Sequence, residues 1–284
     1  MKYVFFGTPN EATIVLDTLV AHNLTPSLIV TAPDRPAGRG LKIEQSPVAT
    51  WAEKQATHTT VVKPESLKGN GDIANMIAGS KAELGIVFAY GAIIPQSIIS
   101  LFPKGVLNIH PSLLPKYRGP APVEGAILGG ETETGVSVML IDALMDHGPI
   151  LAQEKVSIGT DETAPELLNR LVTRGASILT ELILRHENDG ISFSDSAKEQ
   201  NHLLATFTQK ITKADGQISE ADIEAHPEEV YKKYRAYAAW PRLFYFSQEG
   251  ERNVRTTITK MRMENGKCVV ERIIPEGKKE KAVN

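Results

Sequence analysis

Cysteine is nearly absent from this sequence, since Cys268 is the only one among 284 residues. A single thiol excludes an internal disulfide and a cysteine-based metal site, and it indicates a reducing compartment, for which we predict the cytoplasm. No apolar run approaches the roughly 18 residues that span a bilayer, and Met1 and Lys2 lead directly into a strand-like segment. We therefore expect no membrane segment and no signal or transit peptide.

The sequence also lacks the motifs of several common enzyme classes. No GxGxxG follows the first strand-like segment, which argues against a dinucleotide site, and Ser112 has no GxSxG context, which argues against a catalytic serine. His110, Asp146 and His147 are residue types that bind metals, but neither HExxH nor another short-spaced ligand pair accompanies them. We therefore expect no bound metal and no covalent intermediate on the protein.

Charge is distributed unevenly along a chain of ordinary globular composition, with 42% hydrophobic and 23% charged residues. Residues 1–200 carry 16 basic and 22 acidic side chains, whereas residues 230–284 carry 13 basic and 6 acidic ones, a net charge of +7. A basic segment attached to a mildly acidic body indicates that one part holds a polyanion while another carries out the chemistry. A solvated surface of lysine and arginine would give the same pattern, so charge alone leaves nucleic-acid binding open.

Short apolar runs alternate with helical stretches in the first part of the chain. Strands are predicted at residues 3–6, 27–31, 84–88, 105–109 and 135–141, and helices at residues 11–21, 47–55 and 71–78. Strands separated by helices imply an α/β fold, with a largely parallel, Rossmann-like sheet and helices on both faces. Thr163 and Glu166 form a capping-box pattern that predicts a long amphipathic helix running towards His186.

A polar, broken stretch separates this region from a smaller one. We predict a first domain at 1–188, a linker at 189–204 and a second domain at 205–284. The second domain is expected to be β-rich, with a basic helix and three strands at 227–238, 243–246, 254–261 and 267–274.

The turn after the first strand, Gly7-Thr8-Pro9, predicts a well-capped helix. Thr8 is the expected N-cap, Pro9 the first helical residue, and Glu11 the partner that completes a capping box. Such a helix would begin at the edge of the sheet where open α/β folds bind ligands. A capped helix without a ligand fits the same residues equally well.

The strongest chemical signal stands at the end of the strand at 105–109. Asn108 and His110 alternate with Ile109, so the period of two residues places both polar side chains on one side of the sheet. An asparagine amide can donate hydrogen bonds to a developing oxyanion, and a histidine can transfer a proton to a leaving nitrogen. Asp146, in the loop after the strand at 135–141, is expected to orient His110 and stabilise its protonated form.

Proline distinguishes this histidine from an ordinary core residue. A lone histidine at a strand end is more often structural, but four prolines between Pro111 and Pro122 rigidify the adjoining loop, as a preorganised site requires. An amide, an imidazole and a carboxylate are the groups needed to move a one-carbon acyl unit onto an amine. The sequence therefore predicts acyl transfer without a metal.

The run NIHPSLLPKYRG at 108–119, with MDHGPI at 145–150, resembles the folate-dependent formyltransferases. In that family an Asn, a His and an Asp act on 10-formyltetrahydrofolate, and they correspond to Asn108, His110 and Asp146. The loop DRPAGRG at 34–40 is similar to that of the members that formylate methionyl-tRNA. The resemblance implies transfer of the formyl group to the α-amino group of methionyl-initiator tRNA, for translation initiation.

Binding residues for both substrates are implied by the same resemblance. The expected folate contacts are Phe88, Ala89, Tyr90, Gly91, Ile94, Ser112, Leu113, Leu114, Pro115 and Asp142. The expected contacts to the acceptor and its phosphates are Thr8, Pro9, Asn10, Arg35, Arg39, Lys42, Lys210, Lys232, Lys233, Arg235 and Arg242. The second domain is expected to be an oligonucleotide-binding (OB) barrel that holds tRNA, and no obligate protein partner is implied.

Departures from the family pattern bear on acceptor choice. Asn10-Glu11 replaces an acidic residue and a phenylalanine, which removes an aromatic expected to contact the methionyl side chain. The segment 246–268 is short by about a hairpin for a five-stranded barrel, so a reduced barrel is expected. His147 stands where the family has a small or hydroxyl residue. Two alternatives stay open, namely formylation of an amino sugar nucleotide and a non-catalytic RNA-binding protein that kept the fold.

Overall fold

A computed structural model describes residues 1–37, 40–56, 58–190, 192–250 and 252–283. In chain order its elements are β1 (Tyr3–Gly7), α1 (Asn10–Ala21), β2 (Leu28–Val30), β3 (Arg35–Ala37), β4 (Lys42–Glu44), α2 (Pro47–Gln55), β5 (Thr60–Val62), α3 (Gly71–Gly79), β6 (Leu84–Phe88), α4 (Gln96–Ile99), β7 (Val106–His110), α5 (Pro122–Leu128), β8 (Glu133–Leu140), β9 (Ile150–Ser157), α6 (Ala164–Asp189), α7 (Phe193–Ser196), α8 (Glu220–Ala225), α9 (Pro227–Ala236), β10 (Phe244–Glu249), β11 (Arg252–Glu264), β12 (Lys267–Pro275) and β13 (Lys281–Ala282). Short 3-10 helices lie at His202–Leu204 and Lys213–Gly216.

The main sheet has seven strands in the order β5-β2-β1-β6-β7-β8-β9. The pairs β1–β2, β1–β6, β2–β5 and β6–β7 are parallel, and β7–β8 is antiparallel. The predicted α/β fold with a largely parallel sheet is therefore confirmed. Because β1, β6 and β7 are neighbours and run the same way, their carboxyl ends meet at one edge of the sheet.

Buried side chains cover both faces of this sheet. Val4 and Phe6 of β1 pack with Ile73 of α3, in a cluster that also takes in residues of α4. On the opposite face α6 approaches β7 closely, since a Cβ added to Gly175 would lie 2.5 Å from the Cγ2 of Ile109. Helices on both faces are thus confirmed, and each large apolar side chain buried there contributes about 1.5–3 kcal/mol.

Two strands of the sheet are absent from the sequence prediction. β5 has three residues, too few to show a period, and β9 alternates half-buried with exposed residues and carries polar side chains. The long helix α6 is confirmed: the Glu166 carboxylate accepts the N–H of Thr163 at 2.9 Å and its hydroxyl at 2.6 Å. These bonds lower the pKa of Glu166. The helix ends at Asp189, three residues beyond the predicted His186.

The expected cap of α1 is wrong. Helix α1 begins at Asn10, with Pro9 as its N-cap and no side-chain cap. The hydroxyl of Thr8 instead donates to the carbonyl oxygen of Tyr90 at 2.9 Å. Thr8 therefore ties the turn after β1 to the turn after β6, and a long-range bond replaces the local one that the sequence pattern predicted.

The basic segment after β2, expected to be a polar loop, forms a two-stranded sheet. β3 and β4 pair in antiparallel fashion, with Arg35 opposite Glu44 and Ala37 opposite Lys42. Gly38 and Arg39 lie outside the described residues. Among the described residues, every helix is too short or too polar to cross a membrane.

The chain divides into two compact units. The first consists of Met1–Arg118, Gly135–Glu154 and Leu171–Ala205, and the second of Gly119–Thr134, Lys155–Arg170 and Thr206–Asn284. The domain bounds 1–188, 189–204 and 205–284 stay a prediction. Within the predicted linker the structure places helix α7 and the 3-10 helix at His202–Leu204.

The second unit contains an antiparallel sheet. Its order is β10-β11-β12-β13, so among the described residues this sheet has four strands. Helix α9 packs against α5 and against β11 and β12. A small β-rich part with fewer strands than a five-stranded barrel agrees with the reduced barrel that the short segment 246–268 predicted.

Candidate active site

Asn108 and His110 lie at the carboxyl end of β7, as the sequence predicted. β7 sits between β6 and β8, with Asn108 opposite Val87 and His110 opposite Ser137. Asn108 is half-buried, and its amide forms no hydrogen bond with any residue that the structure describes. Both N–H groups of that amide are therefore available to a ligand.

The His110 ring is held between two oxygen atoms. Its Nε2 lies 2.9 Å from the carbonyl oxygen of Tyr117 and its Nδ1 lies 3.6 Å from Oδ1 of Asp146. A carbonyl can only accept, so Nε2 carries a hydrogen and donates it. The ring is 4% exposed and the Asp146 side chain 15% exposed. Both ring nitrogens therefore face an oxygen atom, one from each of two loops.

The proline-rich loop after β7 is folded by its own hydrogen bonds. The N–H of Ser112 donates to the carbonyl of His110 at 2.9 Å, and its hydroxyl donates to the carbonyl of Lys116 at 2.7 Å. The peptide bond between Leu114 and Pro115 is cis. The loop therefore turns back towards β7, so that the carbonyl of Tyr117 contacts the His110 ring.

Ser137 and Gln153, which sequence reasoning missed, brace this loop from β8 and β9. The Ser137 hydroxyl donates to the carbonyl of Ser112 at 2.6 Å and accepts the N–H of Leu114 at 3.2 Å. The Gln153 amide donates to the carbonyl of Leu114 at 2.9 Å and to the Ser137 hydroxyl at 2.8 Å. Fixed support of this kind keeps a catalytic side chain in one orientation.

The loop that carries Asp146 is held close to the sheet. Asp146 has a left-handed backbone with φ of 51°, and a Cβ added to Gly148 would lie 2.1 Å from the carbonyl oxygen of Leu140. The amide nitrogen of Gln200 donates to the carbonyls of Asp146 at 2.9 Å and Gly148 at 2.7 Å. Glycine at 148 and the amide of Gln200 thus hold the backbone of the loop that carries the Asp146 carboxylate.

A polar chain of side chains continues from Gln200. The buried Arg118 guanidinium donates to the Gln200 oxygen from Nε at 3.2 Å and from Nη2 at 2.7 Å, and Nη2 lies 2.8 Å from Nδ1 of His202. The His202 ring stacks on His147 at 4.1 Å, and Nδ1 of His147 lies 2.7 Å from the Asp142 carboxylate. His147, one of the departures from the family pattern, therefore pairs with Asp142 and stabilises the loop.

The segment at 88–91 lies beside this site at the edge of the sheet. The rings of Phe88 and Tyr90 are buried, and Tyr90 meets the ring of Phe6 edge-on at 5.8 Å. Ala89 and Gly91 both have positive φ, at 46° and 82°. Ala89 and Gly91 are the exposed residues of this segment, while Ile94 packs against the same core cluster.

The acceptor residues expected in the first unit lie at two places. Thr8, Pro9 and Asn10 form the start of α1, and Asn10 is exposed. Arg35 and Lys42 are exposed on the hairpin of β3 and β4, where Arg35 lies 3.9 Å from Glu65.

The basic residues expected in the second unit differ in exposure. Lys210 and Arg242 are exposed, and Lys232 and Lys233 are partly buried. Arg235 is only 9% exposed, and its Nη1 donates to the carbonyls of Gly159 at 3.2 Å and Glu162 at 3.4 Å. The expectation that Arg235 holds a phosphate is therefore replaced by a structural role.

A metal site would need several ligand side chains close together among the described residues. Within them, no group of three or more histidine, cysteine, aspartate or glutamate side chains is arranged to hold a metal ion.

Comparison with known proteins adds the family context. Residues 1–183 match the formyl transferase family. The chain is 39% identical to methionyl-tRNA formyltransferase of Chloroflexus aurantiacus over 246 aligned residues. The alignment covers 87% of this chain and 76% of that protein.

Solved structures share the fold at lower sequence identity. Methionyl-tRNA formyltransferase from Clostridium thermocellum is 17% identical, with a TM-score of 0.62 over 97% of this chain and 98% of that one. An N-formyltransferase from Helicobacter canadensis, in complex with folinic acid and dTDP-3-aminofucose, is 19% identical, with a TM-score of 0.62 over 96% of this chain and 94% of that one.

Proposed function

Because this chain belongs to the formyl transferase family, we propose that it transfers the formyl group of 10-formyltetrahydrofolate to the α-amino group of methionyl-initiator tRNA. The observation that carries the proposal is the His110 ring, held between the Tyr117 carbonyl and the Asp146 carboxylate, with the amide of Asn108 on the same side of β7. The 39% identical relative named for methionyl-tRNA supports this acceptor.

The proposed reaction needs one proton to move from the amine to the folate. The amine nitrogen attacks the formyl carbon and forms a tetrahedral intermediate, whose oxyanion accepts hydrogen bonds from Asn108 and protonated His110. The bond from carbon to the folate nitrogen then breaks, and His110 supplies the proton that this nitrogen takes up. Asp146 accepts the proton that the amine loses, through water, and returns it to His110.

We propose that Nδ1 of His110 is the nitrogen that exchanges this proton. Nε2 is anchored on the Tyr117 carbonyl at 2.9 Å, a full hydrogen bond, whereas the 3.6 Å between Nδ1 and Asp146 is longer than a hydrogen bond. A reacting group or a water molecule can therefore share Nδ1 with Asp146.

Folate is proposed to bind at the edge of the sheet beside this histidine. The family uses formylated tetrahydrofolate donors, and folinic acid in the Helicobacter canadensis structure supports the same ligand class. In this proposal the backbone at 88–91, with its two positive-φ residues, faces the donor together with the loop at 112–115. Asp142 and Ile94 complete the proposed set.

The tRNA is proposed to bind through basic side chains that are exposed or partly buried. Arg35 and Lys42 would contact it from the hairpin, and Lys210, Lys232, Lys233 and Arg242 from residues 205–284, which we propose as the tRNA-binding domain. We also propose the cytoplasm as its location, since methionyl-initiator tRNA is used there.

One assay tests the proposal. Purified protein is given 10-formyltetrahydrofolate with methionyl-initiator tRNA, and formyl-methionyl-tRNA and tetrahydrofolate are both quantified. Uncharged tRNA, free methionine and an amino sugar nucleotide serve as comparison acceptors, and His110→Ala is the inactive control. We expect product with methionyl-tRNA and little with the others. Turnover of the sugar nucleotide alone would contradict the acceptor, and tRNA binding without folate consumption would indicate an RNA-binding protein.

A further inference from the structure

The two oxygen atoms that hold the His110 ring belong to separate loops. The Tyr117 carbonyl ends the proline-rich loop after β7, and the Asp146 carboxylate belongs to the loop between β8 and β9. Tyr117 is followed directly by Arg118. The side chain of Gln200 connects the two loops, because it forms hydrogen bonds to Arg118 and to the backbone of the Asp146 loop.

Gln200 uses all of its hydrogen-bonding capacity in this position. Its oxygen accepts two N–H groups of Arg118, and its amide nitrogen donates one hydrogen each to the carbonyls of Asp146 and Gly148. Gln200 is 5% exposed and Arg118 4% exposed, so water does not compete for these bonds. We name these four residues the Gln200 clamp.

The clamp connects the two groups that contact the nitrogens of the His110 ring. From Nε2 of His110 the contacts run through Tyr117, Arg118 and Gln200 to Asp146, and from there back to Nδ1. A glutamine amide is the group that such a connection needs, because it can accept from a guanidinium and donate to two carbonyls at once. A glutamate at 200 would keep the bond to Arg118 but would turn an unprotonated oxygen towards the two carbonyls.

We propose that Gln200 and Arg118 are positioning residues for formyl transfer, which hold the Tyr117 carbonyl and the Asp146 carboxylate at the separation that keeps the His110 ring aligned with the reacting atoms. This inference rests on the proposed function, since it concerns the same site. A displacement of about 1 Å at a catalytic group costs roughly a hundredfold in rate. The clamp therefore acts on the chemical step and not on the affinity for either substrate.

Two substitutions at one position separate positioning from simple stabilisation. Gln200→Ala removes all four bonds, and Gln200→Glu keeps the pairing with Arg118 while losing the donors to Asp146 and Gly148. We expect both to lower kcat by about 10- to 100-fold, with KM for folate and for methionyl-tRNA changed by less than about threefold. Arg118→Lys keeps the charge but loses the two parallel N–H donors of the guanidinium. Its kcat should lie between the kcat of these variants and that of the unchanged chain.

A matched control removes a buried hydrogen bond elsewhere in the same unit. Tyr3→Phe deletes the hydroxyl that donates to the buried carbonyl of Leu24 at 2.9 Å. We expect a lower melting temperature with an unchanged kcat. The proposal is overturned if Gln200→Ala and Gln200→Glu lower the melting temperature as much as this control does but keep kcat within about twofold of the unchanged chain. The clamp would then be only structural.

A second measurement does not depend on the acceptor. The ring nitrogens of His110 are observed by ¹H–¹⁵N correlation in the unchanged chain, in the Gln200 variants and in Tyr3→Phe. We expect the His110 signals to move in both Gln200 variants and to stay in Tyr3→Phe, and unmoved signals would overturn the proposal. An unchanged chain that fails to formylate methionyl-tRNA would refute the proposed function alone, since the ring signals still report on the clamp.

Discussion

The candidate site in the first unit and the sheet of the second unit arrange their polar side chains in opposite ways. In the first unit His110, Arg118 and Gln200 are buried, and each is bonded to backbone carbonyls or to one another. In the sheet of the second unit the charges lie at the surface, where Arg262 pairs with Glu264 at 2.8 Å and with Glu271 on the neighbouring strand. Bond-making chemistry requires fixed geometry, whereas contact with phosphates requires mainly positive charge.

This difference sets the size of the effects that substitutions should have. A buried donor or acceptor left without a partner costs about 1–3 kcal/mol, and a surface ion pair contributes about 0–1 kcal/mol. Changes in the first unit should therefore be large and should appear in kcat. Changes on the surface of the second unit should be small and should appear in affinity for tRNA.

The largest effect is expected at the end of β7. Asn108→Ala and His110→Ala should each lower kcat by about a hundredfold or more, because in the proposed mechanism the first removes a donor to the oxyanion and the second removes the proton donor. Formyl transfer to methionyl-tRNA gives the rate, and circular dichroism checks the fold. Near-normal turnover in both variants would contradict the assignment of the active site to the first unit.

A smaller loss is expected when the support of the loop is removed. Ser137→Ala deletes the hydroxyl that bonds to Ser112, Leu114 and Gln153, and we expect kcat to fall by about tenfold and stability by about 1–3 kcal/mol. Ser177→Ala, in the exposed part of α6, is the matched control and should leave kcat unchanged. Equal turnover of the two variants would show that the loop does not depend on Ser137.

Two arginines of the second unit should respond in different ways. Arg242→Ala, at an exposed position, should weaken tRNA binding about two- to fivefold. It should also reduce the slope of the logarithm of the binding constant against the logarithm of salt concentration by about 1, the loss expected for one phosphate contact. Arg235→Ala, at the buried position, should instead lower the free energy of unfolding by about 1–3 kcal/mol. Binding titrations at two salt concentrations and urea unfolding of both variants measure this. A larger loss of tRNA affinity in Arg235→Ala at equal stability would reverse the assignment.

The smallest effect is expected at high pH in the second unit. Burial, followed by the hydrogen bond to Asp161 at 2.8 Å, raises the pKa of Tyr231 to about 12. An unfolded tyrosine ionises near pH 10. The stability from this neutral hydroxyl is therefore complete below pH 10 and is lost as the pH rises through 12. Urea unfolding of the unchanged chain and of Tyr231→Phe should show a difference that shrinks over this range, and a constant difference would contradict it.

Much of the fold could be predicted because burial leaves a local periodicity. The strands at 3–6, 84–88 and 135–141 appear within about two residues of their predicted positions, a usual error at element ends. β5 and β9 could not be found, because one is three residues long and the other is polar. The cap of α1 was predicted from a local pattern, and the longer-range bond from Thr8 to Tyr90 replaced it.

The candidate site divides in the same way. Asn108 and His110 follow from the alternation along a single strand, and Asp146 follows from the motif at 145–150. Gln200 lies within the segment expected to be a linker, and no residue pattern marks it. Its partners stand far away along the chain, with Arg118 82 residues and Asp146 54 residues distant.

The sequence by itself therefore determined the alternation of strands and helices, the strand end that carries the amide and the imidazole, and the family to which the chain belongs. Tertiary structure alone decided which polar groups are buried and which stay exposed, as Arg235 and Arg242 show. It also decided that Gln200 contacts both Arg118 and the backbone of Asp146. The physical reason is that periodicity reports the burial of neighbours along the chain, whereas a hydrogen bond between distant segments depends on where folding brings their ends together.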